Sequence, residues 1–179
     1  MLPPIPKKKP KILKAHGDQR SDDYYWLRDD SRTNKEIIEY LEEENKYSEN
    51  WFTEGKDYRN EIYEELLKSI PKEETSLKIK KNDFYYFSKI KSDEQYPVYF
   101  REKDSSVEEI LNINELSKDL DFYQISGISP SPNNEIIAFG EDINGRREYT
   151  IKFKNLQNDS TIIDELKNAS GNISWGNNE

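Results

Sequence analysis

Apolar residues recur at helical spacing in the first part of the chain. One side of a helical wheel collects Ile37, Tyr40, Leu41, Tyr47, Trp51 and Phe52, with Glu44 as an acidic exception. Thr33 and Glu36 have the spacing of a capping box, which predicts the start of this helix. Gly55 interrupts the pattern, and a second stripe follows, made of Tyr58, Ile62, Leu66 and Ile70. Pro71 ends it, because proline lacks the N–H that a helix interior needs. The pattern predicts two amphipathic helices.

Further along the chain, apolar residues occupy alternate positions. The runs DFYYFSKI and YPVYFRE are rich in aromatic residues and are joined by KSDEQ, which is typical of a hairpin. EIIAFGED leads through Asn144–Gly145, a pair that favours tight hairpin turns, to REYTIKFKNL, and QNDS turns again into TIIDEL. In REYTIKFKNL, Tyr149, Ile151 and Phe153 alternate with polar residues, as a strand with one buried face requires. We predict several short antiparallel strands.

A faint internal repeat organises this second part. GISPSPNNE at residues 127–135 recurs in similar form as GNISWGNNE at residues 171–179, 44 residues later. A period of this size, with about four short strands per repeat, is typical of β-propeller blades. We therefore expect an N-terminal helical segment, residues 1–71, followed by an incomplete all-β propeller of about two and a half blades, residues 72–179. Propellers close with about four to eight blades, which indicates the front part of a longer protein. The alternative is a single irregular antiparallel sheet.

Charge and cysteine content narrow the class of protein. The 179 residues include no cysteine and carry a formal charge of −9, whereas residues 1–14 contain five lysines and no acid. We interpret this basic arm as a solvated leader along the surface rather than a nucleic-acid contact, because the acidic body would repel a polyanion. The leader lacks the apolar run of a signal peptide, and no window is apolar enough to span a membrane. We expect a soluble, cytoplasmic protein with neither nucleic acid nor membrane as a partner.

Residue types that carry catalysis are scarce. His16, the only histidine, lies in the leader, and Ser170–Gly171 lacks the flanking residues of a Gly-x-Ser-x-Gly nucleophile elbow. Four aspartates flank an aromatic cluster, but consecutive acids diverge along a regular backbone and do not converge on a metal ion. They are Asp22, Asp23, Asp29 and Asp30. We expect these aspartates to serve turns and helix ends, and we predict no catalytic, cofactor-binding or metal-binding residue in the chain.

Four longer strings of the chain form a specific pattern: PPIPKKKPKILKAHGDQRSDDYYWLRDD, IIEYLEEENKY, YYFSKIKSDEQYPVYFRE and SPSPNNEIIAFGEDINGRREYTIKFKNL. Together they resemble the opening of oligopeptidase B-like enzymes in the prolyl oligopeptidase family of serine peptidases. The most specific string is DYYWLRD at residues 23–29, with His16–Gly17 upstream. Residues 131–134, SPNN, depart from the Ser-Pro-Asp-Gly turn that blades of this family often show. Asparagine tolerates the left-handed conformation that glycine supplies, so we expect the turn to survive.

The resemblance implies a seven-bladed propeller combined with a C-terminal α/β-hydrolase domain. In such enzymes the catalytic Ser, Asp and His lie in the hydrolase domain, the propeller admits only short peptides, and cleavage follows Arg or Lys. The aromatic cluster Tyr24, Tyr25, Trp26 and Leu27 is then expected to dock on the hydrolase domain in cis, and to leave an exposed apolar patch around Trp26 in the 179-residue chain. The resemblance implies no cofactor, and the 179-residue chain alone is expected to be inactive.

Three functions are compatible with these patterns. The first is the front end of a cytoplasmic serine oligopeptidase that acts on short basic peptides. The second is a non-catalytic β-propeller that binds peptides or protein partners, and the third is a free-standing small α+β interaction domain. The reading frame beyond residue 179 would separate them, through a nucleophile elbow, further blades without a hydrolase, or a stop.

Overall fold

The structure is a computed structural model that describes residues 2–53, 55–158 and 160–176. The chain divides into two compact units, residues 1–70 and residues 71–179. Two long helices and a small hairpin make up the first unit, whereas two antiparallel sheets make up most of the second. The change from helical to alternating periodicity along the chain therefore corresponds to a change of structural class.

The first unit begins with a two-stranded hairpin. Strand β1 (Lys11–Ala15) pairs antiparallel with β2 (Asp18–Asp22). The turn holds His16 and Gly17 at φ values of 51° and 81°, and two successive left-handed residues are typical of the type I′ turn that suits a hairpin. The apolar pattern did not predict these strands, because both are exposed along most of their length.

Both predicted helices are present. A short 3-10 turn (Tyr25–Leu27) precedes helix α1 (Lys35–Thr53), and helix α2 (Lys56–Ser69) follows Gly55. Ile70 is the C-cap of α2, directly before Pro71. The acidic exception in the α1 stripe also has a partner, because the Tyr40 hydroxyl donates a hydrogen bond to Glu44. This bond raises the pKa of Tyr40 to about 12.

The predicted capping box at the start of α1 is wrong. The backbone N–H of Ile38 donates to the carbonyl of Asn34 (3.0 Å), and the N–H of Glu36 donates to Asn34 Oδ1 (3.0 Å). Asn34 is therefore the N-cap residue: its carbonyl accepts the first bond of the helix, and its side chain satisfies the orphan N–H of Glu36. The Thr33 hydroxyl bonds Ser31 instead (2.8 Å). Because the Thr33 hydroxyl bonds Ser31, the N-cap role falls to Asn34, and residue spacing alone does not reveal this competition between hydrogen-bond partners.

The second unit is built from two antiparallel sheets. The first sheet contains β3 (Glu74–Thr75), β4 (Ile79–Lys81), β5 (Phe84–Ile90), β6 (Val98–Lys103) and β7 (Ser106–Asn112). Its order is β3-β5-β6-β7, and β4 also pairs with β5. The short helix α3 (Ile113–Leu116) leads to the second sheet, whose order is β11-β10-β9-β8. Its strands are β8 (Gln124–Pro130), β9 (Ile136–Asp142), β10 (Tyr149–Asn155) and β11 (Thr161–Ala169). The three predicted hairpins are thus confirmed.

Side chains from both sheets form one core. Leu111 and Ile113 of the first sheet region pack with Tyr123 and Phe139 of the second. A neighbouring cluster joins Ile110 to Ile137 and Leu156, all three of them buried. The two sheets therefore bury their facing sides against each other, as stacked sheets do when each has one apolar face.

The connection between β9 and β10 differs from the predicted tight turn. Six residues, 143–148, separate the two strands, and only Gly145 and Arg147 in this loop have positive φ values. Asp142 organises the loop. Its carboxylate, 1 % exposed, accepts the backbone N–H groups of Asn144 (2.8 Å), Gly145 (2.9 Å) and Arg147 (2.7 Å). Desolvation by itself would raise the pKa of Asp142, but the backbone hydrogen bonds to the charged carboxylate together outweigh it and lower the pKa.

The repeated strings fall in partly comparable settings. Gly127 and Gly171 both have positive φ, 62° and 82°, and Asn134 takes the predicted left-handed conformation at 60°. The backbones of the two glycines meet, since a Cβ on Gly127 would lie 1.9 Å from the carbonyl oxygen of Gly171. The predicted turn at Asn177–Asn178 lies outside the described residues, so the equivalence of the two segments and the number of blades stay predictions.

Candidate functional site

The aromatic cluster of residues 24–27 is covered in part by the basic arm. The indole Nε1 of Trp26 donates to the carbonyl of Lys7 (2.7 Å), and the Lys9 ammonium lies 4.4 Å from the centre of the Trp26 ring. Lys11 lies in the same way over Tyr25, at 3.7 Å. Because ammonium groups are attracted to the faces of aromatic rings, the arm is held on the cluster. The prediction that the arm lies along the surface is confirmed.

A carboxylate on α1 anchors the same arm. Glu36 accepts hydrogen bonds from Lys7 (3.2 Å) and Lys9 (2.6 Å), and these contacts lower its pKa. Lys8 lies 3.8 Å from Asp23. Lys7 and Lys9 therefore link the arm to α1 by ion pairs with Glu36. Each such exposed pair contributes little stability by itself.

The four candidate aspartates serve turns and ion pairs. Asp29 accepts the backbone N–H groups of Ser31 (3.0 Å), Thr33 (2.8 Å) and Asn34 (2.8 Å), together with the Ser31 hydroxyl (2.5 Å). These bonds to the charged form lower the pKa of Asp29 to about 2. Asp29 thus shapes the turn that leads into α1, as expected of an acid near a helix start.

The other three aspartates have separate partners. Asp22 accepts the N–H of Tyr24 (2.9 Å), Asp23 contacts Lys8, and Asp30 lies 3.4 Å from Arg28. Within the described part of the chain, no group of three or more histidine, aspartate and glutamate side chains is placed to hold a metal ion. The four acids do not converge on a common point.

His16 and Ser170 belong to different units of the structure. His16 is exposed in the turn between β1 and β2, where its positive φ serves the hairpin. Ser170 is exposed directly after β11, and the glycine that follows is packed against Tyr149. Neither residue lies in a hydrogen-bonded arrangement of nucleophile and base of the kind that acyl transfer requires. That the chain contributes no catalytic residue stays a prediction.

Helices α1 and α2 carry a group of exposed large apolar side chains. Trp51 is 68 % exposed and Tyr58 is 69 % exposed, whereas Trp26 is partly buried. Other members of this surface, which we call the helical apolar face, are Phe52, Ile62, Tyr63, Leu66, Leu67 and Ile70. The expectation that an exposed patch centres on Trp26 is therefore wrong, because the basic arm and Tyr40 already cover that ring.

The sequence of α2 contains more apolar positions than the predicted stripe includes, and these extra positions indicate the helical apolar face. Tyr63 and Leu67 lie beside the predicted stripe of α2 and widen it, and no residue of α2 is buried. A broad arc of exposed apolar side chains on a helix is typical of an interaction surface. Among the described residues, no helix is both long enough and apolar enough to cross a membrane.

Comparison with known proteins identifies relatives along almost the whole chain. The family model described as prolyl oligopeptidase, N-terminal β-propeller domain, matches residues 3–179. The chain is 33 % identical to a dipeptidyl aminopeptidase BI of Pseudoxanthomonas mexicana over 97 % of its length, and 32 % identical to protease 2 of Moraxella lacunata over 96 %. It covers only 27 % and 26 % of these two relatives.

Solved structures give the same picture of the fold. Oligopeptidase B from Leishmania major superposes with a TM-score of 0.86 at 26 % identity, covering 98 % of this chain and 28 % of that one. Oligopeptidase B from Trypanosoma brucei, in a closed form with covalently bound antipain, has a TM-score of 0.83 at 23 % identity, covering 99 % and 28 %. The chain therefore spans about a quarter of the length of the proteins that it matches.

Proposed function

The chain belongs to the prolyl oligopeptidase family, and on that premise we propose that it is the N-terminal part of a serine oligopeptidase that hydrolyses short peptides after basic residues. The observation that carries the proposal is the match of residues 3–179 to the N-terminal propeller domain of this family. The two sheets with their shared core and the similarity to oligopeptidase B support it.

In this proposal the hydrolase domain is supplied by the rest of the full-length protein. The relatives are about four times longer than the chain, which leaves room for such a domain. The helical apolar face supports docking in cis, because burying one large apolar side chain is worth about 1.5–3 kcal/mol. Trp51 and Tyr58, each more than two-thirds exposed, are the largest contributors. The propeller would limit the size of peptides that reach the active site.

We propose a cytoplasmic location for the protein. The 179 residues contain no cysteine, which suits a reducing compartment such as the cytoplasm. Two relatives of the chain are a dipeptidyl aminopeptidase and a protease, so aminopeptidase activity and internal cleavage have to be distinguished by experiment.

Substrates with free and blocked amino termini separate these activities. The full-length protein should cleave an N-blocked arginyl anilide and a similar lysyl substrate, and should leave the alanyl analogue nearly intact. Cleavage that requires a free dipeptidyl amino terminus would contradict the proposed specificity. Failure to hydrolyse any of these substrates, together with no labelling by a serine-directed phosphonate, would favour the non-catalytic propeller.

A further inference from the structure

The second unit contains a cavity of about 360 Å³ at the edge of its two sheets. The β3–β4 segment forms one wall, with Ser76, Leu77, Ile79 and Lys81, and β8 forms another, with Ile128, Ser129 and Pro130. Tyr86, Tyr99, Ile110 and Ile137 are among the remaining lining residues. The lining is therefore predominantly apolar and aromatic, as is usual for sites that bind small organic ligands.

Lys81 is the one cation in this lining. Its ammonium donates to the carbonyl of Pro130 at 2.6 Å, and no described carboxylate lies within ion-pair distance of it. Two other lysines in the same sheet region are paired, Lys78 with Glu102 and Lys103 with Asp83. Partial burial lowers the pKa of Lys81, because a desolvated ammonium without an opposite charge is disfavoured.

An anion placed in the cavity would supply the missing partner. A carboxylate accepting from Lys81 would form a charge-assisted hydrogen bond, which is stronger than a neutral one. The apolar lining, in turn, favours a ligand that carries an aliphatic or aromatic group next to its carboxylate. The volume is at the lower end of the range for ligand pockets, about 300–1,000 Å³, and suits one or two residues.

We propose that this cavity binds the C-terminal end of a short peptide, with the last, apolar side chain in the cavity and the carboxylate on Lys81. The choice of a peptide as the ligand rests on the proposed function, whereas the preference for an apolar carboxylate rests on the lining and on Lys81. Such a site would retain short peptides whose C-terminal residue is apolar.

Binding of a small probe to the 179-residue chain tests this site. The probe is N-acetyl-phenylalanyl-leucine, compared with its C-terminal amide, and binding is followed by amide chemical shifts in ¹H–¹⁵N spectra. The acid should shift resonances of Lys81, Ile128 and their neighbours. The amide should bind about tenfold more weakly, since a hydrogen bond between charged groups is worth roughly that factor.

Three variants identify the residues responsible. Lys81→Met should weaken binding of the acid about tenfold and leave the weak binding of the amide unchanged. Lys80→Met is the matched control, because Lys80 is exposed on the same strand and does not line the cavity. Leu77→Ser should weaken both probes and spare the fold, since Leu77 is 88 % exposed.

Equal affinity for acid and amide, or full affinity of the Lys81→Met variant, would overturn the proposal, as would the absence of any shift up to the solubility limit of the probe. The variants' spectra without probe show whether each is folded. Peptidase assays on the full-length protein test the proposed function independently. If the full-length protein is inactive, the proposed function is contradicted, whereas carboxylate-dependent binding of the probe to the 179-residue chain would still support a ligand site in the cavity.

Discussion

Arg101 joins the two sheets of the second unit through buried hydrogen bonds. The side chain lies on β6 and is 7 % exposed. Its guanidinium donates to the carbonyl of Asn134 (2.6 Å) and to the carbonyl of Leu156 (3.2 Å), both on the second sheet or its loops. It also binds Glu108 of its own sheet through Nε (2.7 Å) and Nη2 (3.1 Å). Replacement by methionine keeps an apolar stem and removes every one of these donors.

The expected cost follows from what the substitution leaves behind. Hydrogen bonds to charged groups are worth about 1.5–3 kcal/mol each, and the longer bond to Leu156 belongs at the weak end. Glu108 is 45 % exposed and regains water, so its stranded charge adds little. We therefore expect Arg101→Met to lower the free energy of unfolding by about 3 kcal/mol, a large fraction of a domain's ~5–15 kcal/mol.

Urea denaturation followed by circular dichroism measures this loss. Glu108→Gln is the matched control, because it weakens the exposed ion pair and keeps both bonds of Arg101 to the second sheet; it should cost less than about 1 kcal/mol. A loss under about 0.5 kcal/mol for Arg101→Met, or an equal loss for Glu108→Gln, would show that the bonds between the sheets do not stabilise the unit.

Three further predictions concern the pKa of Asp29, the helical apolar face and the expected lack of peptidase activity in the 179-residue chain. Hydrogen bonds to the charged form lower the pKa of Asp29 to about 2. The stabilisation from this carboxylate is therefore complete above the pKa that aspartate has in the unfolded chain, and is lost as pH falls through its pKa in the folded protein. Acid titration followed by helicity should show this loss, and Asp29→Asn should abolish it. Trp51→Ser should reduce binding of an apolar dye more than Trp26→Ala, and the reverse order would refute the assignment of the helical apolar face. The 179-residue chain should neither hydrolyse arginyl esters nor react with a serine-directed phosphonate, and labelling that disappears when a serine is replaced would contradict this.

Local chemistry in the sequence determined the secondary structure of most of the chain. The stripe from Ile37 to Phe52 predicted α1, and the alternation through Tyr149 and Ile151 predicted β10. The left-handed turn at Asn134 was predictable because asparagine tolerates that conformation without a glycine. These features depend on neighbours within a few residues, and such neighbours are visible in the sequence.

Tertiary structure alone decided which polar groups are buried and what they bind. Nothing in the local pattern distinguishes Arg101 from an exposed arginine, since its partners Asn134 and Leu156 come from the other sheet or its loops. From the sequence, Trp26 is predicted to be exposed apolar surface. In the structure, Lys9, which is distant in sequence, lies over its ring. Lys81 likewise becomes a binding candidate only where β4 and β8 meet. Sequence periodicity reports the face on which a side chain lies, whereas its partner depends on contacts that form only when distant segments pack together.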